Sequence, residues 1–330
     1  MIIGHQKQWE FLRKSARVLR VPHALLFSGE EQIGKKKVAI EFIKLLNCEN
    51  RDFDAKPCHN CRSCEAIQKR IHPDFIIIEP KKSLSGKQGR AMIQISQIRK
   101  LNWQIALKPF EAHFKSAIIG SAHLMNQEAQ NSLLKTLEEP KGTSFLILIS
   151  EYPSRLLPTV RSRVQQIKFY PLKQSEIEDF VKHSREFRPE IQKLSEKDIQ
   201  EIVRLSEGKP GRVIDFLQNP QKLEDYKRRA LELFEIIDSD LAFCFQYAKL
   251  SADNPDTLRT TLNIWLRYFR RLLLAQVTPC LAAGKSGGQN YSLAKLKKII
   301  EVLQRVDFLL STTNINPKLA LEFLMVELKI

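Results

Sequence analysis

The chain has 330 residues, 43% of them hydrophobic, which excludes a disordered polypeptide and provides for two or three domains with buried cores. Its 53 Lys and Arg against 37 Asp and Glu give a formal charge of +16, which suits a polyanionic partner such as nucleic acid but equally a solvated basic surface. The longest apolar run, near Trp265 to Ala275, is broken by Arg267, Arg270 and Arg271, so no bilayer span is expected. The first twenty residues lack an apolar signal core, and a cytoplasmic protein follows.

From 23 to about 169, short β-rich runs alternate with helical patterns. Strands are expected at 23–28, 74–79, 116–120, 144–149 and 164–169. Several ("FIIIE", "AIIG", "FLILIS") are almost continuously apolar, as parallel strands covered on both faces must be. Such alternation predicts an α/β domain with crossover helices. A helix is expected at 126–139, with Ala129, Leu133, Leu134 and Leu137 on one face and Pro140 and Gly142 ending it. The polar stretch 81–90 reads as a disordered loop. After Pro171 strand signals disappear, and helical spacing dominates to the C-terminus with a glycine-rich break at 282–290.

The first motif in chain order is "SGEEQIGKKK". A strand, Gly29, four residues, Gly34 and Lys35 make a G-x-x-x-x-G-K loop opening a helix, whose N–H groups and dipole suit phosphate. Lys36 stands where a hydroxyl would hold Mg²⁺, and Gln32 where a glycine would ease the approach to phosphate. The later strand ends in Gly120 and Ser121, where a hydrolase carries acidic residues. With both magnesium ligands lost on separate elements, no ATP turnover is expected. A structural role for Lys35 is favoured over binding of ATP or ADP.

Cys48, Cys58, Cys61 and Cys64 put four of the chain's six cysteines into one short segment. In a reducing compartment that compactness points to tetrahedral S₄ coordination of structural Zn²⁺, ahead of an iron–sulfur cluster or free buried thiols. By analogy with zinc fingers, such a site supplies about 10 kcal/mol of metal-dependent folding energy. His59, inside the knuckle, reads as a solvated neighbour rather than a ligand. In "LLPTVRSRVQQIKF", Arg161 and Arg163 stand at the entrance to the fifth strand. Arginines there are usually solvated or paired, unless a neighbouring chain presents a phosphate.

The order "IIGHQ", "PHALLFSG", the four-cysteine insert, "NSLLKTLEEP", "LLPTVRSR" and "GKPGR" resembles the bacterial clamp-loader branch of the AAA+ family, well over residues 2 to about 217. The resemblance implies a ring that opens a sliding clamp and places it on primed DNA, with gamma/tau-type ATPase subunits and a clamp-opening delta-type subunit as partners. It also implies that Ser162 and Arg163 form the S-R motif whose arginine serves an adjacent ATPase in trans, with Val164 where the family has Cys. It places sensor-like positions at Ser150 and Arg212, and the zinc ligands on Cys48, Cys58, Cys61 and Cys64. Three domains are expected: an α/β AAA+ (P-loop-like) core with a zinc insert (1–169, zinc module about 48–64), a helical lid (170–218) and an all-α collar (219–330). The expected function is that of a non-hydrolysing subunit. The alternatives are an active gamma/tau-type ATPase or a zinc-dependent DNA-binding module.

Overall fold

The computed structural model describes residues 2–18, 20–82, 91–140, 142–183, 191, 194–252, 255–277, 292–312 and 315–329. The loop expected at 81–90 lies outside them beyond Lys82, and the break expected at 282–290 lies outside them entirely.

The chain divides into two compact units, Met1–Gln218 and Asn219–Ile330. In the first, helix α1 (Gln6–Arg17) precedes β1 (Ala24–Ser28), α2 (Lys35–Asn47), α3 (Arg62–Gln68) and β2 (Phe75–Ile78). A two-residue hairpin, β3 (Lys81–Lys82) with β4 (Ala91–Met92), leads into α4 (Ile95–Ile105), β5 (Lys115–Ile119), α5 (Gln127–Glu138), β6 (Ser144–Ser150), α6 (Pro158–Arg161) and β7 (Gln165–Lys168). Five strands form one sheet in the order β2-β5-β6-β1-β7, and every pairing in it is parallel.

The continuous apolar strands are explained by their two covered faces. Leu25 and Phe27 of β1, with Phe145, Ile147 and Ile149 of β6, enter a core with Leu12 of α1 and Val38, Phe42 and Ile43 of α2. Their neighbours Ala24, Leu26, Leu146 and Leu148 face the opposite core, with Ile98 and Leu101 of α4 and Leu133 and Leu137 of α5. Asn126 caps α5 by accepting from the Ala129 N–H at 2.9 Å. The connection leaving β1 enters one face through α2, whereas the connection leaving its neighbour β6 enters the other through α6. Ligand crevices open at the carboxyl ends of parallel strands where connections diverge in this way, and there the G-x-x-x-x-G-K loop lies.

Asp74, fully buried just before β2, ties the 110–112 segment to the sheet. It accepts N–H groups from Phe110 (2.9 Å), Glu111 (2.8 Å) and Ala112 (3.0 Å), and its carboxylate is 3.3 Å from the ammonium of buried Lys115. Burial alone would raise its pKa, but these donors outweigh it and hold the carboxyl below its ordinary value.

Beyond β7 the first unit continues through α7 (Gln174–His183) and the helices Glu196–Ser206 and Pro210–Gln218. Ser195 opens Glu196–Ser206 with a reciprocal capping box to Asp198. The second unit consists, among the described residues, of the helices Pro220–Asp238, Leu241–Ala252, Pro255–Val277, Leu293–Thr312 and Pro317–Lys329. Its core gathers Leu233, Trp265, Phe269, Leu303 and Leu324.

Replacing Asp74 by alanine strands a buried lysine and the N–H groups of Phe110, Glu111 and Ala112, and should cost about 3–5 kcal/mol in equilibrium denaturation at neutral pH. Because the folded pKa is depressed, wild type keeps this contribution above the ordinary carboxylate value, about 3.9, and loses it as pH falls through the folded pKa. The stability gap to Asp74→Ala should therefore shrink below about pH 4.

Candidate functional site

The loop after β1 depends on two glycines with positive φ. Gly29 has φ 147°, and a Cβ there would lie 2.4 Å from the Phe169 carbonyl oxygen. Gly34 has φ 100° and starts α2. Gln32, between them, is also left-handed (φ 62°), a conformation that suits glycine better.

Lys35, 5% exposed, turns its ammonium back into the loop and donates to the carbonyls of Gly29 (2.6 Å) and Glu30. Burial lowers its pKa to about 8. Lys36 points the other way and forms an ion pair with Glu79 at the carboxyl end of β2. The Lys36 hydrogen bond holds the Glu79 carboxyl below its usual range, with Coulombic attraction adding to it and burial opposing it. A Cβ on Gly120 would lie 3.7 Å from Glu79 Cγ, so Lys36, Glu79 and Gly120 share one corner of the sheet edge. Ser121 follows with φ 51°. Ser150, at the end of β6, is buried with its Oγ 3.5 Å from His123 Nδ1.

The segment after 170 closes over this loop. The Gly211 N–H donates to the Gln32 carbonyl (2.9 Å), the Gln32 amide donates to Asp215 (2.7 Å), and buried Lys209 is paired with Glu30. His5 Nε2 contacts the Ile33 carbonyl at 2.7 Å, and burial lowers the pKa of this imidazole. Arg212 is buried in the first turn of Pro210–Gln218 and directs Nη1 at Glu207 Oε2 (3.4 Å) and the Leu205 carbonyl (3.5 Å).

The four cysteines converge. Cys48 ends α2, Cys61 caps α3, and all four sulfur atoms lie within 4.8 Å of one another, Cys48 Sγ and Cys58 Sγ at 3.5 Å. Tetrahedral Zn²⁺ with Zn–S bonds near 2.3 Å needs sulfurs about 3.8 Å apart, so the cluster could hold that ion. Backbone N–H groups around Cys58 bring its pKa to about 7 against the opposing effect of burial, whereas burial raises Cys48 and Cys64. His59 stands outside the sulfur set, with Nε2 3.6 Å from buried Glu41. The insert is braced against α1, where Asp54 pairs with Arg17 (2.5 Å) and Phe53 lies under the Arg13 and Arg17 guanidinium groups.

Arg163 lies far along the chain, just after α6 and its C-cap Ser162. Nη1 donates to the Thr159 carbonyl (2.9 Å) and Ser162 Oγ (3.2 Å), and Nη2 is 2.8 Å from Glu138 Oε1 at the end of α5. Glu79 and Glu138 lie inside "FIIIE" and "NSLLKTLEEP", but no spacing rule names their partners, and nothing local in the sequence marks Asp74.

A parallel α/β domain with a G-x-x-x-x-G-K loop at the carboxyl end of β1, a Cys₄ insert and an S-R motif before β7 is the arrangement that the sequence resemblance implies. The family model described as "DNA polymerase III, delta subunit" matches residues 4–173, more than half of the 330-residue chain. The chain belongs to that DNA polymerase III subunit family. It is 39% identical over 160 residues to the delta-prime subunit of Bacillus subtilis, an overlap covering 48% of this chain and 46% of the relative. Over 144 residues it is 36% identical to the delta-prime subunit of Pseudomonas aeruginosa, covering 44% and 42%. The chain spans less than half the length of these curated relatives. A gamma subunit-related protein of DNA polymerase III from Thermotoga maritima aligns over 96% of this chain and 98% of that one, with TM-score 0.49 and 17% identity. No helix among the described residues is long and apolar enough to cross a membrane.

Two expectations follow. Purified protein should carry one zinc per chain; a strong chelator or Cys61→Ser should remove it and expose the 48–64 segment to proteolysis, read by metal analysis and limited digestion. Lys35 should titrate near pH 8 in lysine-selective NMR, against about 10.4 for exposed lysines. The sign follows: with its folded pKa below the unfolded value, charged Lys35 burdens the fold fully below pH 8 and less as pH rises toward 10.4.

Proposed function

We propose that this chain is a non-hydrolysing clamp-loader subunit that completes a neighbour's ATPase site with Arg163. The observation that carries the proposal is the Lys36–Glu79 ion pair beside Gly120 and Ser121. Where Mg²⁺-dependent phosphoryl transfer needs a hydroxyl and a carboxylate on the metal, this edge presents an ammonium already paired with the nearby acid. Lys35, the residue that would meet the phosphates, is occupied by the carbonyls of its own loop. Gly211, Asp215 and Lys209 hold that loop from above, so its backbone groups serve as scaffold.

Arg163 supplies what the chain's own loop does not use. It follows a short helix, its side chain is 36% exposed, and its guanidinium can meet a phosphate bidentately. An arginine given in trans to a transferring phosphoryl group is worth about 10³–10⁵ in rate. Ser162 holds Nη1 as the motif partner, whereas Ser150 and Arg212 are engaged by His123 and Glu207 and serve the fold. The partners are gamma/tau-type ATPase subunits, a clamp-opening delta-type subunit and, within the assembly, primed DNA. Zinc at Cys48, Cys58, Cys61 and Cys64 is structural: four thiolates fill a tetrahedral shell and leave no position for substrate. The division into core (1–169), lid (170–218) and collar (219–330) belongs to the same proposal, with the collar helices joining the chain to other subunits.

The chain alone should show no Mg²⁺-dependent ATP hydrolysis. Assembled with a gamma-type ATPase, wild type should support turnover, and Arg163→Ala should assemble normally yet lower the rate of the site it faces by at least about a hundredfold. Hydrolysis by the isolated chain would favour the active-ATPase alternative, and unchanged turnover with Arg163→Ala would remove the role in trans.

A further inference from the structure

Arg163 is held, not idle. Its Nη1 donates to the Thr159 carbonyl in α6 and to Ser162 Oγ, and its Nη2 meets Glu138 at 2.8 Å. Glu138 is the last residue of α5, where the negative end of the helix dipole disfavours a carboxylate and favours a cation beside it. The guanidinium therefore satisfies the ends of two helices at once. Two of its N–H bonds go to oxygens of its own segment, and a third is held by a full negative charge on another element.

Resting on the proposed role of Arg163 in trans, we infer that Glu138 is its positioning residue: an internal carboxylate that Arg163 gives up when a neighbour's phosphate arrives. A phosphate and Glu138 cannot share the Nη2 edge without bringing two anions together, so engagement of the neighbour breaks the internal pair. The pair is built to be broken. Both side chains are partly exposed, 36% for Arg163 and 48% for Glu138, and exposed pairs of this kind are weak. A phosphate carries more charge and offers a better bidentate match. Glu138 thus keeps the arginine ordered and away from stray anions in the free subunit, and withdraws part of the affinity for nucleotide at the shared site. The bonds that Arg163 Nη1 donates to the Thr159 carbonyl and Ser162 Oγ remain in both states and fix the direction of approach.

Two measurements on Glu138→Gln test this. In the free chain, phenylglyoxal labelling followed by peptide mass mapping should modify Arg163 about two- to fivefold faster than in wild type. In a loader assembled with a gamma-type ATPase, Glu138→Gln should lower the ATP concentration for half-maximal turnover by about two- to fivefold, acting on that concentration rather than on the maximal rate. Glu138→Asp, which restores the charge, should return both toward wild type, as a merely packing role would not. Equal labelling and an unchanged half-saturating concentration in Glu138→Gln would overturn the inference while leaving the role of Arg163 intact. Full turnover with Arg163→Ala would instead overturn that role, and the inference with it.

Discussion

The ion pair between Lys36, in the first turn of α2, and Glu79, at the end of β2, governs what the carboxyl edge of the sheet can do. On the proposed reading, a divalent cation drawn to that corner would meet an ammonium where it needs an oxygen ligand, with the nearby carboxylate already paired. Lys35 is drawn inward to Gly29 and Glu30, so both lysines of the loop spend their charge within the molecule. The loop, with its positive-φ glycines and its helix N-terminus, also anchors the neighbouring segments. Gly211, Asp215, Lys209 and His5 all take their places from that loop.

The same economy operates around Arg163 and the cysteines. Helices position both groups: α5 and α6 flank the arginine, and α2 and α3 bracket the sulfurs. The zinc insert grips α1 through Asp54 and Phe53, and α1 packs Leu12 against the core that carries α2. A metal ion bound in the insert would therefore stabilise, through α1 and α2, the edge from which the loop emerges.

Much of this was legible in the sequence because the signals were local. Strands covered on both faces write themselves as unbroken apolar runs, and β1, β2, β5 and β6 fell where "ALLFS", "FIII", "KSAII" and "SFLILIS" stand. Cysteine spacing announced a cluster that the fold then closed to sulfur contact. Long-range pairing was not legible. The strand order β2-β5-β6-β1-β7, the hub at Asp74 and the pairs Lys36–Glu79 and Arg163–Glu138 each join residues with no fixed separation. The two-residue hairpin β3–β4 is too short to leave a period of two in the sequence. His59, read as a solvated neighbour, is exposed and outside the sulfur set, whereas its approach to the buried carboxylate of Glu41 comes only from the packing of α2 against the insert.

The most direct measurement is the structure of the chain assembled with its ATPase neighbour and a non-hydrolysable ATP analogue. Arg163 should be released from Glu138, with its guanidinium within hydrogen-bond distance of the γ-phosphate bound next door, and Lys36 should remain paired with Glu79. A magnesium–nucleotide complex seated in this chain's own loop, with Arg163 remaining on Glu138, would contradict it.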